Sequence, residues 1–216
     1  METFIALISV TSFTALFSIL DRALTYKGFQ GVYYIVHAVH NAAIVAATIP
    51  DLYHTFTDLH NVVSYPPNYL AIQLCFALHL YHIALYSSKF RYDDWLHHIL
   101  MVGLALPIGS LEMSHTFTGL SLFFTTGLPG GIDYALLALN RNGQIHKNTE
   151  KAINTFLNVW IRSPGCCGMA ALGIASMCSR PDHFSILGLV PCILNYWNGQ
   201  YFMKQVVEDY ALLDRR

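Results

Sequence analysis

Charge is what this chain has least of. Aspartate, glutamate, lysine and arginine make up 12% of its 216 residues, about half the share a water-soluble domain uses to coat its surface. Hydrophobic residues make up 54%, so the composition predicts an integral membrane protein. With 12 basic against 13 acidic residues the net charge is −1, which excludes the basic footprint of a nucleic-acid-binding protein. The five cysteines, Cys75, Cys166, Cys167, Cys178 and Cys192, lack zinc-ligand or paired-framework spacing and read as small core residues. No positive leader precedes the apolar run from Phe4 to Leu20 and no small-residue cleavage site follows it, so a retained first membrane helix is expected. Repeats, low-complexity segments and a soluble domain are also missing.

What is present is a series of apolar stretches. Runs of about 18–25 such residues can cross a bilayer, and seven are expected: Thr3–Leu20, Gly31–Pro50, Asn68–Ser87, Asp94–Leu111, Thr116–Leu139, Ala152–Met177 and His183–Met203. Glu112-Met113-Ser114-His115 separates the fourth from the fifth, which predicts a tight hairpin. In the sixth, Ser163-Pro164-Gly165 predicts a kink and Arg162 stands near the middle.

Cationic residues mark the cytosolic side of membrane spans. Of the 12 basic residues, ten fall on alternate loops: Arg22, Lys27, Lys89, Arg91, Arg141, Lys147, Lys151, Lys204, Arg215 and Arg216. Arg180 alone falls opposite, and Arg162 lies within a span. The expected fold is therefore all-α, a seven-helix transmembrane bundle with a lumenal or external N-terminus and a cytosolic C-terminus. Residues 1–29 would form the first helix and loop, 30–205 a six-helix domain and 206–216 a cytosolic tail.

That topology gathers the intramembrane polar groups at one depth. His37, His40, His79, His82, His97, His98, Asp133, Asn154, Asn158, Asn195, Asn198 and Gln200 all fall in the cytosolic half. Ionisable groups in a membrane face the bundle interior or a water-filled cavity, so one polar cavity opening to the cytosol is expected. His37/His40 and His79/His82 are spaced i,i+3 and Asn154/Asn158 i,i+4, so each pair shares a helix face. His97 and His98 are adjacent, about 100° apart on a helix, so one is expected to act while the other bonds a neighbour or reaches the interface. His54, His60, His115, His146 and His183 are assigned to loops.

The run Trp95-Leu96-His97-His98-Ile99-Leu100, preceded by Arg91 and Asp93-Asp94, resembles the core signature of the TLC domain family. That family takes in ceramide synthases and translocation-associated membrane proteins. Gln30 to Ala38, ending in His37-Ala38, is similar to the segment that opens the domain. Leu136 to Asn140, Ile153 to Asn158 and Arg162-Ser163-Pro164 are similar to its later polar helix starts. The likeness runs from about residue 30 to 205.

The resemblance implies lipid metabolism in the endoplasmic reticulum or another endomembrane. In the ceramide synthase branch it implies joining of a fatty acyl group from acyl-CoA to a sphingoid amine at the paired histidines. His97 and His98 are then the catalytic candidates, with Asp133 beside them. Imidazole can take a proton from the amine or attack the thioester. His37, His40, His79, His82, Asn154, Asn158 and Asn198 are the candidate substrate-binding residues. Membrane lipid and acyl-CoA are the expected partners, the latter as co-substrate rather than bound cofactor, and self-association into a homo-oligomer is compatible with the likeness. Ceramide synthases carry a His-Asp and a further Asp in the helix after the double His, whereas Leu120 to Gly130 holds no acid here. A non-enzymatic lipid binder or regulator of membrane composition is therefore the alternative. A His-ligated metal-dependent lipid enzyme is a further one, since His37, His40, His79, His82, His97, His98 and Asp133 could supply a nitrogen-rich site. A retinal protein is excluded by the want of a lysine inside the last helix.

Overall fold

The computed structural model describes residues 2–65, 68–112, 116–179 and 185–213, and among these the chain is all-helical with no strand. The helices are α1 (Glu2–Tyr26), α2 (Val32–Thr57), α3 (Tyr69–Tyr86), α4 (Tyr92–Leu100), α5 (Leu106–Glu112), α6 (Thr116–Leu122), α7 (Leu128–Arg141), α8 (Lys147–Leu157), α9 (Ser163–Ser179) and α10 (Ile186–Leu213). Wide π turns over Met101–Ala105, Phe123–Gly127 and Asn158–Arg162 join α4 to α5, α6 to α7 and α8 to α9. Each of those pairs is one unbroken helical stretch.

The three π turns share a local cause. Pro107, Pro129 and Pro164 each stand two residues beyond the end of one. In an α-helix a proline ring collides with the carbonyl four residues back and cannot donate to it. Those carbonyls belong to Gly103, Thr125 and Trp160, the middle residue of each π turn. Widening the turn moves the carbonyl aside while the helix continues. The expected kink at Ser163-Pro164-Gly165 is thus absorbed one turn earlier.

Packing closes the helices into a ring. α2 packs on α3 and on α6 and α7; α7 meets α8, and α6 meets α9. α8 and α9 pack on α10, α10 on α5, and α5 on α3. α1 lies outside against α3, where Phe17 joins Val36, Ile44, Cys75, Leu78 and Tyr81 in an apolar core. A second core, with Phe117, Leu120, Met169 and Cys192, joins α6, α9 and α10. Asp21 of α1 accepts hydrogen bonds from the hydroxyls of Tyr81 and Tyr86 on α3. The other face of α1 presents Phe4, Ile5, Leu7, Ile8, Leu16 and Ile19 outward, an apolar stripe of the kind that meets lipid or a partner.

Among the described residues five helices are long and apolar enough to cross a membrane: Phe4–Tyr26, Val32–Thr57, Tyr69–Lys89, Tyr92–Leu111 and Phe117–Arg141. The two later stretches expected to cross, Ala152–Met177 and His183–Met203, are not among them. Asn154, Asn158 and Arg162, and Asn195, Asn198 and Gln200, dilute their apolar content. α1 and α2 run past the expected Leu20 and Pro50. The last turns of α2 still bury Asp51 and Thr55, with Asp51 against Gly119 of α6, so His54 belongs to a helix rather than a loop. Cys178 is exposed rather than a core residue, while Cys75, Cys166 and Cys192 are buried as expected. The expected hairpin residues Met113, Ser114 and His115 lie outside the described residues, as do Arg180, His183, Arg215 and Arg216.

Candidate functional site

The ring encloses a cavity of about 610 Å³, within the range of small-molecule sites, about 300–1,000 Å³. His37, His40, His79, His82, His97, His98, Asp133 and Asn198 all line it. So do Tyr33, Tyr134, Arg162 and Asn195. The polar groups cluster at the end of the bundle that carries Lys27, Lys89, Arg91 and Arg141. Toward the other end the lining turns apolar, with Leu106, Phe117, Leu122, Met169 and Cys192.

Each imidazole is placed by its own helix. His37, His79 and His98 each donate from Nδ1 to the carbonyl four residues back: Tyr33 at 2.6 Å, Cys75 at 2.7 Å and Asp94 at 2.7 Å. His40 Nδ1 is 2.8 Å from Asn41 Oδ1, which also accepts from Thr126. A carbonyl oxygen can only accept, so Nδ1 carries the hydrogen in these rings. A neutral imidazole then keeps Nε2 as a lone pair.

That assignment propagates through the cluster. His98 Nε2 lies 3.3 Å from His82 Nδ1, so His82 donates from Nδ1 and its Nε2 is left without a hydrogen-bond partner. His79 Nε2 lies 3.3 Å from His97 Nε2; His79 accepts and His97 donates. His97 therefore keeps Nδ1 as its lone pair. His82 stacks on His37 at 4.3 Å between centroids and on Tyr33 at 5.0 Å, two rings that also touch each other.

The double histidine is divided in a way its sequence spacing did not disclose. Both rings line the cavity, because the i,i+3 pair His79/His82 offers each a separate partner one turn apart. Their burial differs: His98 is 4% exposed, whereas His97 is open to the cavity. Asp94 also accepts from the Arg91 backbone N–H at 2.9 Å, which fixes the start of α4 and with it the approach of both rings.

Asn154 and Asn158 do not line the cavity and do not contribute to its surface as expected. They form a polar chain along one helix face. Asn154 hydrogen-bonds the Glu150 carboxylate, Asn158 donates to Asn154 Oδ1 at 2.6 Å, and Arg162 donates to Asn158 Oδ1 at 2.8 Å. Arg162, the end of that chain, is the residue that reaches the cavity. The signal for it was its standing as the one basic residue inside an expected span. Tyr33 and Tyr134 carried no separate signal; they were found by geometry, through ring contacts with His37 at 4.0 and 4.2 Å.

Among the described residues no three His, Cys, Asp or Glu side chains come together so as to hold a metal ion. His54 stacks on Tyr65, at 3.7 Å, away from the cavity, and His146 accepts from Asn148 N–H to cap α8. No family model matches the chain, and no curated protein or solved structure matches it either.

Proposed function

We propose that the chain is a membrane-spanning enzyme of lipid metabolism that transfers an acyl group from acyl-CoA to a sphingoid-type amine, with His97 as the base. The observation that carries this reading is the two-part cavity: imidazoles at one end, an apolar lining at the other. From His97 to Gly109, both on its wall, the helix rises ~18 Å at about 1.5 Å per residue, comparable with a long acyl tail. Seven crossings, with the histidine end toward the cytosol, put the cavity mouth where acyl-CoA is found. The basic residues on that side support the orientation.

In the transfer, the amine nitrogen attacks the thioester carbonyl; the new C–N bond forms as the C–S bond breaks. His97 Nδ1 takes the amine proton and returns it to the departing thiolate. His79, accepting from His97 Nε2–H, favours the tautomer that leaves Nδ1 free. His98, buried and bonded at both nitrogens, holds His82 and the start of α4. Asp133 lines the same cavity and takes a hydrogen bond from the amine in this reading. The TLC likeness of Trp95 to Leu100 agrees with this assignment.

A lipid binder without turnover would use the same cavity, and the want of acids between Leu120 and Gly130 favours it as the second reading. Purified protein in liposomes, given labelled palmitoyl-CoA and sphinganine, separates the two. N-acylated product that disappears in His97→Ala supports transfer. Stoichiometric lipid occupancy without product supports binding alone.

A further inference from the structure

Arg162 is 5% exposed, and the carboxylate that opposes its charge, Asp133, does so without direct contact. Among the described residues its guanidinium makes no ion pair with a carboxylate. Nη1 is held by Asn158 at 2.8 Å, one face lies over the Phe202 ring at 4.9 Å, and Nε has no hydrogen-bond partner. A buried guanidinium without a carboxylate in contact is costly. In a membrane such a group marks a site by default. The surroundings are built to present it: the chain Glu150–Asn154–Asn158 fixes the side chain from behind. Gly130 lets α7 approach the guanidinium closely, since a Cβ there would lie 3.3 Å from Arg162 Nη2 and 2.9 Å from Asn41 Nδ2.

We propose that Arg162 is an anion-binding subsite of the cavity, and that the amphiphile it receives carries a phosphate or carboxylate seated on the guanidinium. This deepens the acyl-transfer reading, and rests on it only for the use to which the ligand is put. The Nη2 end of the guanidinium offers the donors that planar or tetrahedral oxyanions accept. Asp133, whose Oδ1 is buried and unpartnered, lines the same cavity and opposes an anion. It therefore limits affinity rather than supplying it.

The test is equilibrium binding of three single-chain probes to the detergent-solubilised full chain: hexadecyl phosphate, palmitate and hexadecanol. Hexadecyl phosphate and palmitate are expected to bind at least about tenfold tighter than hexadecanol, a difference of ~1.4 kcal/mol. Arg162→Gln should remove most of that gap while leaving hexadecanol binding intact, and Asp133→Asn should widen it. A gap that persists in Arg162→Gln, or narrows in Asp133→Asn, overturns the proposal. If Arg162→Gln fails to fold, as loss of hexadecanol binding would reveal, the direction of the Asp133→Asn change decides alone. Free coenzyme A as competitor separates the sources: competition that depends on Arg162 assigns the anion to the acyl donor, and its absence assigns it to the acceptor lipid. The gap should survive in His97→Ala. Equal binding of all three probes with acyl transfer retained would sink the subsite and leave the transfer reading standing.

Discussion

The Nε2 atoms of His79 and His97 stand 3.3 Å apart, and this approach determines which nitrogen of His97 keeps its lone pair. His79 has committed Nδ1–H to the Cys75 carbonyl, so only its Nε2 lone pair can meet His97. The double histidine is thus two unlike residues, one presented and one built in.

Alanine at the two positions should separate them. His97→Ala should abolish acyl transfer with little change in melting temperature. His98→Ala leaves His82 Nδ1 without its partner and removes the second hydrogen bond on the Asp94 carbonyl, and should cost about 1–3 kcal/mol of stability. Thermal unfolding in detergent beside product assays reads both effects. Equal loss of stability in the two variants would contradict the division.

Asp21 is the tie between α1 and the ring. It is 8% exposed and accepts from both Tyr81 and Tyr86. Asp21→Ala strands two hydroxyl donors and should cost about 2–4 kcal/mol, taking roughly 1–2 for each. Limited proteolysis near Lys27 should become faster, since α1 would separate from α3 before the ring opens. The Tyr81→Phe, Tyr86→Phe pair should be milder than Asp21→Ala.

Gly119 is required by a close approach rather than by a turn. A Cβ on it would collide with the carboxylate of Asp51, which is itself bonded to the Asn68 amide. Gly119→Ala should therefore lower the melting temperature by several degrees, about 1–3 kcal/mol for overpacking. Asp51→Ala in the same chain should recover part of that loss. Strict additivity of the two substitutions would show that the carboxylate is not what alanine meets.

Glu150, at the start of α8, supplies a pH dependence. It is 1% exposed, and burial pushes its carboxyl above the ordinary range although Lys151 and Asn154 pull it down. The folded state thus favours the protonated acid. Its contribution to stability is present at acid pH and lost as pH rises through the folded value. Glu150→Gln, which imitates the protonated form, should melt higher than the parent at neutral pH. The difference should vanish below the usual carboxylate range. A variant that melts lower at pH 7 would mean that the Lys151 attraction outweighs burial.

Much of the site was legible because helix periodicity is a strong constraint. The i,i+3 pairs His37/His40 and His79/His82 do face one interior, and His97-His98 opens a helix beside them. What spacing could not give was how neighbours share hydrogen bonds. The convergence of both paired histidines depends on His79 and His82 lying one turn apart on another helix. Asn154 and Asn158 were read as cavity residues because polar groups in an apolar stretch point inward. Asn158, however, accepts from the side chain of Arg162, and Asn154 accepts from Asn158. The helix ends were less legible: Pro50 reads as a stop, but buried Asp51 and Thr55 carry α2 onward. The lower apolarity of the last two stretches follows from the same polar residues that build the site.

The proline-linked π turns bear on the length of the chain itself. A π turn accommodates one residue more than the surrounding α-helix needs for the same rise. Deleting a residue within Met101–Ala105, Phe123–Gly127 or Asn158–Arg162, together with replacing the following proline by alanine, would restore an ordinary α-helix. The turns on either side would keep their facing directions. Elsewhere in the same helices a deletion would rotate everything beyond it by about 100°. These three segments are therefore where the bundle could have gained residues, and could lose them again, without dismantling its ring.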